Sequence, residues 1–316
     1  MELVTISDIE AAAKRVEGVA VRTPLLLQTW DPRKTLWLKP ENLQPVGAFK
    51  VRGAFTAISA LDDAVRARGV IAFSSGNHAQ AVAYAAQRYG VPAVIVVPDV
   101  APRIKVAATR SYGAEVIEVP ISELEEKTHE LAAERGLTLV PPFDDAAIIA
   151  GQGTVGLEIA EDLPDVEVVL VPVSGGGLAS GVGTAIKARC PDARVIGVEP
   201  ALAADTTEGL RLGHRADWPV ADRARTIADG LRAQPSDLTF AHLRKVVDDM
   251  VTVTEDEIRD AVRTLARQAR LVAEPSGAVT TAAYLSHAAE LPAGRTVAVV
   301  SGGNADPAMF AEILAG

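Results

Sequence analysis

The 316-residue sequence predicts an α/β fold with two parallel-sheet domains, and two features carry that reading. Short β-branched runs alternate with helix-length segments, and the runs are almost continuously apolar, as strands covered on both faces are. The series opens with "VIAFSS" from residue 70, followed by the helical pattern "NHAQAVAYAAQRYG", which closes on a glycine as helices commonly do. "AVIVVP", "PRIKVAATRSYG", "AEVIEV" and "LTLV" continue it, giving four strands between residues 70 and 141. A "PPFDD" loop at 141–145 separates these from "VEVVLVPV", "RVIGVEP" and "TVAVVSGG". The predicted division is a large domain, residues 1–66 and 145–316, with a smaller domain, 67–144, inserted in it. In such sheets ligands gather beyond the carboxyl ends of strands, so loops leaving strands through glycine or serine are where a site is sought.

Composition narrows the partners. A hydrophobic fraction of 48% describes an ordered globular chain, and a net charge of −10 disfavours a nucleic-acid partner. No run approaches the roughly 20 apolar residues of a membrane span. The opening "MELVTISDIEAAAKRVEGV" has acids among its apolar residues and no signal-peptide core. A lone cysteine, Cys190, offers neither an internal disulfide nor a metal cluster. The expectation is a cytoplasmic protein that acts on a small molecule.

Four loops hold candidate chemistry. In "VPVSGGGLASG" a strand enters Ser174, Gly175, Gly176 and Gly177, and a helix begins near Leu178. Three glycines leave backbone N–H groups unshielded at a helix N-terminus, which makes an anion cradle of phosphate size. It lacks the Gly-Lys-Ser/Thr of a nucleotide loop and the spacing of a dinucleotide fold. In "AFSSGNHAQ", Ser74, Ser75, Gly76, Asn77 and His78 open a second helix and suit a substrate carboxylate, although Asn77 also reads as a plain helix cap. "VVSGGN" ends a third strand in Ser301 and two glycines. In "GVEPALAADT", Glu199 and Asp205 are oxygen donors for a hard cation, or solvated loop acids.

Lys50 completes the set. "GAFKVRGAFTAISAL" reads as the start of a helix in which the lysine is flanked by small and apolar residues. Desolvation there favours the neutral amine, which can attack a carbonyl. A lysine near a phosphate cradle, without a metal cluster or a Ser-His-Asp set, points to pyridoxal phosphate held as a Schiff base.

The motifs "PVGAFKVRGA", "SSGNHAQAVA", "PFDDAAIIAGQGT", "SGGGLASG", "TVTEDEI", "AEPSGA" and "SGGN", in this order, resemble fold-type II pyridoxal-phosphate enzymes. Within them the chain is similar to the threonine/serine dehydratase and serine racemase group. The resemblance implies the tryptophan synthase β-like fold, with the smaller domain inserted in the larger. It also implies that Lys50 carries the cofactor, Phe49 packs on its ring and Asn77 bonds its phenolic oxygen. Ser174, Gly175, Gly176, Gly177 and Leu178 would bind the phosphate, Ser301 would face the pyridine nitrogen, and Glu274 would lie close to the ring. Ser74, Ser75, Asn77 and His78 would grip the substrate carboxylate. Ser75 also resembles the residue serving the opposite face in racemases. Glu199, the carbonyl of Ala203, and Asp205 match the family's site for magnesium, manganese or calcium. A homodimer is usual for the group.

Departures sharpen the expected activity. Pro45 stands where nucleotide-regulated racemases carry a lysine, so no ATP site is expected, and "ISELEEKTHE" is acidic where the mammalian-type racemase has an arginine. "PFDD" is more typical of threonine dehydratases. β-Replacement synthases usually read Ser-Gly-Asn-Thr-Gly where this chain has "SSGNHAQ". The expected reaction is β-elimination on L-threonine or L-serine to a 2-oxo acid and ammonia. A serine or aspartate racemase and a 3-hydroxyaspartate dehydratase are the alternatives, and a non-catalytic amino-acid-binding module is disfavoured by the intact lysine.

Overall fold

The computed structural model describes residues 2–33, 35–74, 76–101 and 103–316. Among the described residues, ten strands form two sheets: β1 (Leu26–Leu27), β2 (Leu36–Pro40), β3 (Val70–Phe73), β4 (Ala93–Pro98), β5 (Glu115–Val119), β6 (Thr138–Leu139), β7 (Val168–Pro172), β8 (Arg194–Pro200), β9 (Asp249–Val253) and β10 (Thr296–Val300). One sheet runs β1-β2-β10-β7-β8-β9, and the other runs β5-β4-β3-β6. Every pairing is parallel except the antiparallel β1 with β2.

Burial explains the lettering. β4, β7 and β10 are buried at every position, because helices cover both faces of these central strands. Two edge strands, β5 and β9, are mostly half-exposed and carry charged or polar residues, which blunts an edge against further pairing. Three strands were not expected from the sequence: β1, β2 and β9. β2 reads Leu-Trp-Leu-Lys-Pro, and its lysine breaks the apolar run that marks a buried strand. Lys39 is nevertheless wholly buried, because its amine donates to Glu158 and to the Thr23 carbonyl, each at 2.6 Å.

Two buried helices frame the site. Helix Ala146–Asp162 starts at Asp145, whose carboxylate accepts from the Ala147 and Ile148 N–H groups. It packs on helix Gly177–Arg189 so closely that a Cβ on Gly181 would fall 2.3 Å from the Ile149 carbonyl oxygen. Both helices are apolar nearly all round, as helices walled in by a sheet and other helices must be.

Candidate active site

Loops leaving the carboxyl ends of β2, β3, β7 and β10 converge on one cavity of about 390 Å³. Lys50 is the first residue of helix Lys50–Ala60, and its amine donates to the Pro142 carbonyl at 2.6 Å. Desolvation pushes the amine down to about 8, so a useful fraction is neutral near neutral pH. Phe49 lines the same cavity, its ring centroid 5.3 Å from that amine.

The glycine cradle follows β7. Gly176 has φ +86°, a conformation for which glycine is suited, and helix Gly177–Arg189 begins immediately after it. A Cβ on Gly175 would lie 2.2 Å from the Phe143 ring, and one on Gly176 would lie 2.9 Å from Thr239. The loop is thus pinched between two walls, which explains three glycines where a turn needs one. Among the described residues no side chain caps the helix, and its first-turn N–H groups have no intrahelical partner. Ser174 ties the loop down: its hydroxyl accepts from Ala233 N–H at 3.0 Å and donates to the Ala233 carbonyl at 3.1 Å. Gly175, Gly176, Gly177 and Leu178 line the cavity with Ser174. An anionic group with an aldehyde that reaches Lys50 therefore fits the residues present.

The opposite wall carries the remaining candidates. Asn77 opens helix Asn77–Tyr89, and its Nδ2 donates to Glu274 at 2.6 Å. Glu274 is buried, and burial, with Asp229 adding its charge, pushes its carboxyl up to about 7. Ser301 is buried and its hydroxyl donates to the Ser276 carbonyl at 3.5 Å. Ser74 accepts from the Gly76 N–H. His78 is buried with its Nε2 2.8 Å from the Val140 carbonyl, and burial followed by the charge of Lys50 pushes it down to about 3. The ring is therefore neutral and donates to that carbonyl. Ser75 lies outside the described residues.

The metal candidates are elsewhere, and none lines the cavity. Glu199, on β8, accepts from the N–H groups of Thr206 and Thr207 and from the Thr207 hydroxyl. Burial, assisted by Asp205, pushes Glu199 up to about 7, and burial pushes Asp205 up to about 6. Asp205 Oδ2 is buried without a hydrogen-bond partner among the described residues. Two desolvated acids and an orphaned oxygen fit a hard cation and correct the picture of solvated loop acids.

Several lining residues were not singled out from the sequence. Lys105 pairs with Asp229 at 2.7 Å across the cavity mouth, joining helix Arg103–Ser111 to the turn Asp229–Leu231. Phe143, Ser276 and Arg232 also line the cavity. Phe143 was legible only as part of "PFDD" and Ser276 only as part of "AEPSGA", and nothing local marks Lys105 or Arg232.

A cavity at the carboxyl ends of parallel strands, with a desolvated lysine facing a glycine-walled helix N-terminus, defines an enzyme built around a phosphorylated aldehyde cofactor. The family model described as "Pyridoxal-phosphate dependent enzyme" matches residues 16–302, and the chain belongs to that family. Its cofactor is pyridoxal 5′-phosphate. The L-threonine ammonia-lyase of Thermotoga maritima is 46% identical over 318 residues, covering 99% of this chain and 78% of the relative. The L-threo-3-hydroxyaspartate ammonia-lyase of Saccharomyces cerevisiae is 39% identical, covering 99% and 97%. The structure of maize serine racemase superposes with a TM-score of 0.93 at 37% identity, covering 98% of this chain and 97% of that one.

Proposed function

We propose that this chain is a pyridoxal-phosphate-dependent ammonia-lyase that converts L-threonine or L-serine to a 2-oxo acid and ammonia. One observation carries the reading: a desolvated lysine amine, hydrogen-bonded to a backbone carbonyl, shares a cavity with a glycine cradle. The kinship with the Thermotoga maritima L-threonine ammonia-lyase supports the reaction class.

The bound cofactor supplies an electron sink for cleavage at the substrate's Cα. The chain's own residues do the rest. N–H groups of Ser174, Gly175, Gly176, Gly177 and Leu178 would hold the phosphate, and Phe49 would cover the ring. Asn77 would bond the phenolic oxygen, and Glu274 would lie close to the ring. The Ser301 hydroxyl would face the ring nitrogen and, being no acid, would not hold it protonated, which suits prompt loss of a β-leaving group. Ser74, Ser75, Asn77 and His78 bind the substrate carboxylate. Lys50, as a neutral amine, takes the Cα proton. Loss of the β-hydroxyl as water leaves an enamine, and its hydrolysis consumes one water and releases ammonia and the 2-oxo acid. Domain closure of 67–144 on 1–66 and 145–316 excludes bulk water during these steps. Glu199, the Ala203 carbonyl and Asp205 would hold magnesium, manganese or calcium outside the cavity. The working form is a cytoplasmic homodimer.

Racemisation is the second reading, favoured by the likeness to maize serine racemase, and it needs a proton donor on the opposite face, assigned to Ser75. The test supplies L-threonine, L-serine, D-serine and 3-hydroxyaspartate to the holoenzyme and measures both 2-oxo acid and enantiomer. Fastest 2-oxo acid release from L-threonine or L-serine is expected, with Lys50→Ala colourless and inactive. A Lys50→Ala protein with wild-type turnover would sink the proposal, and enantiomer without oxo acid would favour the racemase.

A further inference from the structure

Asn304 does not line the cavity, yet its contacts decide which atom Asn77 turns toward it. Val46 C=O can only accept, and the Asn304 amide nitrogen lies 2.8 Å from it. Asn304 therefore presents its NH2 on that side. The same nitrogen lies 2.8 Å from the Asn77 side chain, so the Asn77 atom meeting it must be the carbonyl oxygen Oδ1. That leaves the Asn77 NH2 on the other side, where one hydrogen goes to Glu274 at 2.6 Å. The second hydrogen is left for the cavity.

Packing locks the arrangement. A Cβ on Gly47 would lie 2.6 Å from Asn304 Oδ1, and one on Gly302 would lie 2.3 Å from Glu274 Oε1 and 3.0 Å from Asn77 Nδ2. The Gly47 and Gly302 segments are themselves joined, by the Ala48–Gly302 bridge and by Gly303 N–H donating to Gly47 C=O at 2.8 Å. Asn304 thus ties the Lys50 loop to the helix that carries Asn77.

We propose that Asn304 is a positioning residue that holds the Asn77 amide as a donor toward the cavity, so that the cofactor's phenolic oxygen is kept as an oxyanion. The proton then stays on the Lys50 nitrogen. The inference rests on the cofactor assignment above and adds a residue and a direction to it.

The test is the absorption spectrum of holoenzyme, wild type against Asn304→Ala and Asn304→Asp. The tautomer with the proton on nitrogen absorbs in the visible, and the one with the proton on the phenolic oxygen absorbs in the near ultraviolet. In Asn304→Ala the near-ultraviolet fraction should rise about tenfold, the worth of a modest hydrogen bond to a charged oxygen. Asn304→Asp should raise it further, because a carboxylate facing Val46 C=O repels the Asn77 oxygen and turns the amide over. A merely structural Asn304 would lower the melting temperature of both variants at an unchanged band ratio, and that result overturns the proposal. Independently of any variant, the Asn77 side-chain N–H resonances of the wild type should shift when apoprotein takes up pyridoxal phosphate; unshifted resonances would also overturn it. A wild type with neither band overturns the cofactor assignment and this inference together.

Discussion

At the scale of single residues, reactivity is set by what surrounds Lys50 and Gly175. The amine of Lys50 is pushed down to about 8 by desolvation, and only its neutral form attacks an aldehyde. The rate at which apoprotein takes up pyridoxal phosphate should therefore climb through pH about 8 and level off above it, as stopped-flow absorbance would follow. A flat profile would mean that Lys50 is not the group captured. Gly175→Ala places a Cβ 2.2 Å from the Phe143 ring, so one of the two must move. Cofactor affinity should fall at least about tenfold by titration of apoprotein, since one misplaced phosphate hydrogen bond is worth that much. Lys50, Phe49 and the glycines were legible because each stands in a short local pattern, a lysine among small and apolar residues and a glycine run between a strand and a helix. Asn304 was not, because its meaning comes from Val46, 258 residues away.

At the scale of elements, a buried ion cluster fixes the helix that begins at Lys50. Arg52 donates to both oxygens of Glu41 and of Glu158, and Lys39 of β2 donates to Glu158 as well. Arg52, Glu41 and Lys39 are fully buried. Glu41→Gln should destabilise the protein by about 3–5 kcal/mol in urea unfolding, because it strands part of the Arg52 charge without water. The same cluster explains why β2 was illegible: a lysine in a strand reads as solvent-facing unless its partners, here on a helix 119 residues on, are known. The βα series of 70–141 carried no such buried charges and read correctly. The turn after β8 makes a pH-dependent prediction. Glu199 and Asp205 are raised by burial, so the stability of their neutral forms is present at low pH and lost as pH rises through about 6 to 7. A divalent cation binds the charged forms, and magnesium should raise the melting temperature more above pH 7 than below pH 6. An equal effect, or none, would remove the metal from the assignment.

At the scale of the whole molecule, the cavity is lined by loops from both sheets, and Lys105 with Asp229 spans its mouth. Asp229 is 45% exposed, so Lys105→Ala should cost no more than about 1 kcal/mol of stability. Its effect should appear in catalysis instead, as a raised KM for substrate with melting nearly unchanged. Loss of folding would show that the pair is structural. The sequence conveyed the two-sheet architecture because parallel strands covered on both faces have an unmistakable lettering. It conveyed the pair across the mouth not at all, because Lys105 lies in an ordinary amphipathic pattern and meets Asp229 only through the fold. Everything proposed for the site depends on Lys50 holding the cofactor, and borohydride reduction of the holoenzyme followed by peptide mass mapping tests that directly. The phosphopyridoxyl group should be found on the peptide containing Lys50 and on no other. Its attachment to a different lysine, or its absence from a protein that still releases 2-oxo acid, would contradict the assignment.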